Sequence, residues 1–285
     1  DASGATINFN NDVDATATAG TDAITATTAG GGQINVAATR SLDAWGGNVT
    51  FVADDIVIAP DASFASTGSG SDIAVPSGAT MTFAAEAAAT SIGIGDAAAG
   101  TLNLSEAELR KVTGGTNGFG QIIVGVDTTQ SGLITVNDAG GLSGLFTSLR
   151  LRGEMGDLAI DSDIDLTSAA GAGFFIEGQG NTTLLAGNIS TNGGPISITD
   201  SVRVEGTITL DAADDGGGGA SANGGDITIT GNIGAEGGMD DTLTLTSDGG
   251  TDGAVTVGGN VGSGMVHGAP ALDLVGFTVV GGQVD

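Results

Sequence analysis

The chain has 285 residues, of which 34 are acidic and 6 basic, for a formal net charge of −28. A surface of that sign repels nucleic acid and anionic membrane, which are bound through clustered Lys and Arg. With 53 Gly, 4 Pro, 9 Phe, 1 Trp, no Tyr and no Cys, helix bundles and nucleotide-binding α/β folds are disfavoured, and disulfide and thiol chemistry are excluded. Hydrophobic residues make up 40% of the chain, too many for one that cannot form a core. The glycines therefore read as punctuation in an ordered all-β protein. No run approaches the roughly 18 apolar residues of a membrane span, so no membrane insertion is expected.

Strand phrases begin at once. Ile7, Phe9 and Val13 carry the two-residue period of a strand with one buried face, with small polar residues at a corner between them. Ile34 and Val36 follow, then Val49 and Phe51, each pair introduced by two glycines. Ile56, Ile58 and Phe64 come next, then Ile73 and Val75, Met81 and Phe83, Ile92 and Ile94. Short strands at about 8–12-residue spacing, separated by turn residues, are an all-β signal shared by sandwiches and solenoids.

Leu102 and Leu104 continue the strands, but residues 105–112 read as a short helix. Ser105 with Glu108 three residues on has capping-box spacing, and Leu109 and Val112 would face inward together. Strands resume at residues 121–124, 133–136 and 149–151. Further phrases run through Leu158, Ile160, Ile164 and Leu166, then Leu185 and Ile189, then Ile196, Ile198, Val202 and Val204. Two coil registers fit between residues 158 and 227, and residues 211–223, with four consecutive glycines, read as an inserted loop.

The most regular stretch is 227–274. Ile227, Ile229, Gly231, Asn232 and Ile233, followed by Leu243 and Leu245, return as Val255, Val257, Gly259, Asn260 and Val261, followed by Leu272 and Leu274. The first strands of the two phrases are 28 residues apart and the second 29. A unit of that period cannot bury its apolar face alone and must stack on copies of itself. The recurrence selects a solenoid: one parallel β-helix segment spanning 1–285, with irregular loops and one short helix. The chain opens on Asp1 without a leader pattern, and Phe277 to Asp285 looks like a further coil beginning. We therefore expect a segment of a longer repeat protein.

The run from Gly100 to Leu109, then residues 122–125 and 131–136, together with residues 224–233, resembles repeats of the large filamentous-haemagglutinin-like surface proteins of bacteria. The resemblance implies a right-handed parallel β-helix in a long exported adhesin or matrix protein, extracellular or at the bacterial cell surface. It does not extend to that family's N-terminal secretion domain.

Chemistry-bearing residues are few. Asp161, Asp163 and Asp165 alternate with Ser162, Ile164 and Leu166, which on one strand would line up three carboxylates on the outer face. Calcium could relieve their repulsion through oxygen ligation, but no calcium-loop spacing is present and a solvated acidic face competes. The acidic pairs Asp54-Asp55, Asp214-Asp215 and Asp240-Asp241 sit where turns favour Asp. Arg150 and Arg152 share a strand face and are expected to pair with local carboxylates. His267 has no metal-ligand or nucleophile companion in the sequence. Thr228, Thr230, Thr242, Thr244, Thr246 and Thr256 project outward as ordinary exposed strand residues.

The expectation is a non-enzymatic structural and adhesive segment whose coils stack end to end or continue along one chain into a filament. Apart from calcium, no cofactor is expected, and a cell-surface or matrix glycan is the candidate external partner. Two alternatives stay open: a carbohydrate-active β-helix enzyme, marked by carboxylates converging in a groove beside a cation, and an ice- or ligand-binding solenoid, marked by a flat Thr array.

Overall fold

A computed structural model describes residues 2–15, 22–44, 46–65, 79–112, 118–126, 129–178, 181–213, 224–236, 241–248, 253–262, 265–266, 269–270, 276–280 and 283–284. The expected strand at Ile73 and Val75 lies outside the described residues, as do Trp45, His267, Asp214, Asp215, Asp240, Leu272 and Leu274. The described part is almost entirely β, and its one α-helix is the four residues Glu106–Leu109. The main sheets contain 11, 7 and 5 strands, all parallel, and Met265–Val266 with Ala269–Pro270 forms an antiparallel pair.

The chain visits these sheets in rotation. Ile196–Ile198 belongs to the eleven-stranded sheet, Ser201–Val204 to the seven-stranded one and Thr207–Asp211 to the five-stranded one. The next strand, Ile227–Ile229, returns to the eleven-stranded sheet, with Ile227 against Ile196 and Ile229 against Ile198. Parallel pairing repeats the inward and outward positions from one round to the next, because side chains alternate with period two. One inward column of the large sheet therefore reads Ile24, Val49, Met81, Ile122, Leu149, Phe174, Ile196, Ile227, Val255. All nine are buried, and each such side chain contributes roughly 1.5–3 kcal/mol.

The same construction gives the columns Ile134, Leu158, Thr183, Val202, Ile233 and Ile189, Leu210, Leu245, Val279 in the other two sheets. Thr183 is the polar member. It is fully buried, and its hydroxyl donates to Oδ2 of the equally buried Asp200 at 3.4 Å.

These pairings fix the register that sequence spacing left open. Leu158 pairs with Thr183, Thr183 with Val202, and Val202 with Ile233. The phrase Gly-Asn-Ile at 187–189 lies at the corner entering the five-stranded sheet, whereas 231–233 enters the seven-stranded one. Identical words thus mark different corners. Leu243 pairs with Phe277 rather than with the expected Leu272, since Thr242–Thr246 runs beside Gly276–Val280.

Glycine serves the corners by close approach. A Cβ on Gly231 would sit 2.3 Å from the Asp200 carbonyl oxygen, and one on Gly259 would sit 2.2 Å from that of Gly231.

The helix forms as its cap predicts. Ser105 is extended, Glu108 N donates to its hydroxyl at 3.2 Å, and Ser105 N donates to Glu108 Oε2 at 2.9 Å. Leu109 and Val112 are buried as expected.

Candidate functional site

Many acidic and amide side chains at the corners act as acceptors for the backbone of the next round. Asn188 N donates to Asp163 Oδ1 at 2.8 Å, and Thr209 N donates to Asn188 Oδ1 at 2.8 Å. Likewise Ala254 N donates to Asp226 Oδ1 at 2.8 Å, and Asn260 N to Asn232 Oδ1 at 2.9 Å. A buried or half-buried amide must find a partner, and a carboxylate reaching across one strand spacing provides it. Part of the acidic excess is therefore structural.

An open groove of about 420 Å³ lies over the five-stranded sheet, lined by Asp163, Ile164, Asp165, Thr167, Asn188, Ser190, Thr209 and Asp211. Its floor is the outward column Asp165, Ser190, Asp211. Its wall is a bulge: Asp165 pairs with Ser190 but Ala170 with Asn192, so five steps of one strand stand against two of its neighbour. Bulges of this kind re-aim side chains and bend the strand locally. The bulge is tied down by Asn192 Nδ2 donating to the Thr167 carbonyl at 3.0 Å.

Asp161, Asp163 and Asp165 do not share a strand. Residues 161–163 form the corner between Leu158–Ile160 and Ile164–Ala170, which belong to different sheets, so the alternation restarts after the corner. Asp163 and Asp165 reach the groove and Asp161 is not among its lining residues. Asp165 Oδ1 accepts from Thr167 N at 2.9 Å and from the Thr167 hydroxyl at 2.5 Å. Asp211 joins them from two strands away, a separation of about 9–10 Å between backbones. Among the described residues no group of three or more His, Cys, Asp and Glu is gathered for a metal ion. Asp163, Asp165 and Asp211 all line the groove. The lining, rich in hydroxyl, amide and carboxylate groups with no Lys or Arg, suits a polar ligand that is neutral or cationic.

Sequence reasoning missed Asp211, Asn188, Ser190 and Thr209. Thr209 and Asp211 lie on the strand Thr207–Asp211, where no strand is expected from the sequence and Asp211 opens the expected inserted loop, and the juxtaposition of all four depends on which strands pair.

All six basic side chains are engaged. Glu177 takes both Arg150 and Arg152, the latter with Nε to Oε2 at 2.8 Å. Arg150 Nε also donates to Gln121 Oε1 at 2.8 Å, and its guanidinium lies 4.7 Å from the centre of the Phe175 ring. Burial, reinforced by the charge of Arg152, lowers the Arg150 guanidinium from its ordinary value. Arg110 pairs with Glu106 at 2.7 Å, Arg203 with Glu236 at 2.5 Å and Arg40 with Asp12 at 3.8 Å. Lys111 Nζ donates to the Pro60 carbonyl.

The threonines divide between sheets. Thr244 stands between Thr209 and Thr278, and Thr242 beside Thr207, on the five-stranded sheet. Thr228 pairs with Thr256 on the eleven-stranded one. Asp211, Val280 and Gly276 interrupt the first array.

No protein family, curated protein or solved structure matches this chain.

Proposed function

We propose that the chain is a right-handed parallel β-helix serving as a structural and adhesive segment of an extracellular bacterial surface fibre. The observation that carries this reading is the eleven-stranded sheet, which runs unbroken from Ala2–Ser3 to Gln283–Val284 while the chain visits the other sheets between its strands. Right-handed crossovers are the strong rule for parallel strands joined through other elements. Eleven strands at one strand spacing each make a rod about 50 Å long. Open sheet ends pair with further strands unless they are covered, so the coils continue into the next segment of one chain or into the next subunit. The filamentous-haemagglutinin-like phrasing of residues 100–136 points the same way. Electron microscopy of the purified chain tests this reading. Narrow rods that join end to end support it, and compact particles that never join at any concentration overturn it.

The groove favours a second role on the same rod, the docking of a surface or matrix glycan. Its hydroxyl, amide and carboxylate lining offers donors and acceptors to sugar hydroxyls, and the −28 charge disfavours polyanionic glycans. Asp165→Asn and Asp211→Asn should each weaken binding of a neutral oligosaccharide selected by array screening. Unchanged binding in both would remove the groove from the adhesive role.

A further inference from the structure

Among the described residues, strand pairing between rounds is thinnest at one level. Between Asn48–Val52 and Thr80–Ala84 the eleven-stranded sheet continues, with Val49 on Met81, Thr50 on Thr82, Phe51 on Phe83 and Val52 on Ala84. The other two sheets do not continue at that level. Asp55–Ile58 closes a separate three-stranded sheet, and the seven-stranded sheet begins at Leu102–Leu104. Ser63–Ala65 likewise closes a three-stranded sheet, and among the described residues only the isolated bridge between Phe64 and Val112 leads onward from it. The cause is an additional strand. After Ile92–Ile94 the chain doubles back and lays Leu102–Leu104 on the other side of that same strand.

The short helix sits in the resulting gap and replaces the missing backbone pairing with side chains. Toward the preceding round, Glu108 Oε1 accepts the Ile58 amide at 3.0 Å, Lys111 Nζ reaches the Pro60 carbonyl, and the Lys111 carbonyl accepts Phe64 N at 3.0 Å. Toward the following round, Glu106 Oε1 accepts Ser143 N at 3.0 Å, and Arg110 Nε donates to the Ser143 carbonyl at 3.0 Å.

We infer that this seam divides the chain into two cooperative units, and that the helix 106–109 is the latch between them. In a linear stack, stability is a sum of unit terms and nearest-neighbour interfaces, so opening starts at the weakest interface. Every other junction between successive rounds from 22 to 246 has ladder pairing in at least two sheets among the described residues. Among the described residues, the junction between residues 22–65 and residues 79 onward has it in one sheet, supplemented by the Phe64–Val112 bridge and by side-chain hydrogen bonds of Glu108 to Ile58, Lys111 to Pro60, Asn48 to Thr80 and Glu86 to Gly30 and Gly31. Rounds before the latch therefore open together, ahead of the rest, and the rod yields first at this level.

Hydrogen exchange of the full chain in graded denaturant, read by mass spectrometry, tests the latch. The expected result is that Gln33–Val36, Asn48–Val52 and Asp55–Ile58 share one opening reaction, which precedes that of the strands between 148 and 246. Glu108→Ala removes a charge-assisted acceptor and should speed exchange in 22–65 about tenfold or more, leaving 148–246 unchanged. Glu108→Gln keeps an acceptor for Ile58 and should fall between. Asp226→Ala should move only the strands around 196–257. A single common opening for both units in the wild type overturns the proposal. So does an equal change of both units in Glu108→Gln or Glu108→Ala. The wild-type and Glu108→Gln measurements decide even if Glu108→Ala does not fold.

Discussion

Phe51 and Phe64 meet edge to face, with ring centroids 5.8 Å apart and planes at 74°. Phe9 stacks on Phe51 at 5.6 Å, and Phe83 meets it edge-on at 6.3 Å. Four of the nine phenylalanines thus gather where two of the three sheets lose their ladders. Aromatic pairs add about 0.5–1.5 kcal/mol each beyond the area they bury, so side-chain packing strengthens the junction that backbone pairing leaves weak. Phe51→Ala should destabilise the chain by about 3–5 kcal/mol, measured by urea unfolding. A loss below about 1 kcal/mol would mean the cluster does not hold this junction.

The corner glycines separate two causes of glycine preference. Gly231→Ala would place a methyl 2.3 Å from the Asp200 carbonyl and should destabilise by roughly 2–3 kcal/mol as the rounds are pushed apart. At Gly206 the space is open, but the backbone lies at φ 80°, so Gly206→Ala should cost only about 1–2 kcal/mol. Thermal unfolding of the two variants should rank them in that order. The reverse order would place the strain in the backbone dihedral instead of in the contact.

Thr39 is the one non-glycine residue at positive φ among the described residues, at 62°. A β-branched side chain is poorly suited to that region. Thr39→Gly should relieve the strain and stabilise by up to about 1 kcal/mol, after the extra freedom glycine gains in the unfolded chain is subtracted. The loss of the hydroxyl that Arg40 Nη2 reaches at 3.0 Å is a smaller, exposed effect. A lowered melting temperature would contradict this assignment.

The acceptor role of the corner carboxylates can be separated from their charge. Asp226→Asn retains an oxygen for Ala254 N and should be nearly neutral. Asp226→Ala strands that amide at an exposed corner and should cost about 1 kcal/mol. Denaturant midpoints of the pair read the difference directly. Equal losses in both variants would point to the charge.

Asp163 and Asp165 line the groove without forming a three-carboxylate cluster, so a chelator should leave the melting temperature unchanged. Added monovalent salt should raise it instead, by screening the self-repulsion of a chain at −28. A drop on chelation would reveal a bound divalent ion.

Local chemistry was legible in the sequence. The alternation around Ile227 and Ile229 gave a strand, and Ser105 with Glu108 gave a capped helix, because both depend on neighbours a few residues apart. Register was not legible. Gly187-Asn188-Ile189 and Gly231-Asn232-Ile233 share their words because every corner needs a small residue and an acceptor, whichever sheet follows. The groove shows the same limit. Asp165 and Asp211 are brought together only through Ser190, and nothing in the spacing of 46 residues between them encodes that ladder.

The rounds are unequal, and this has a consequence for variation. From Phe174 to its partner Ile196 the chain spends 22 residues, and from Ile196 to its partner Ile227 it spends 31. Both close on the same inward position, so the additional residues leave the pairing of the strands unchanged. Segment length and strand pairing are thereby uncoupled, so the chain between two strands can be lengthened or shortened while the partners of those strands stay the same.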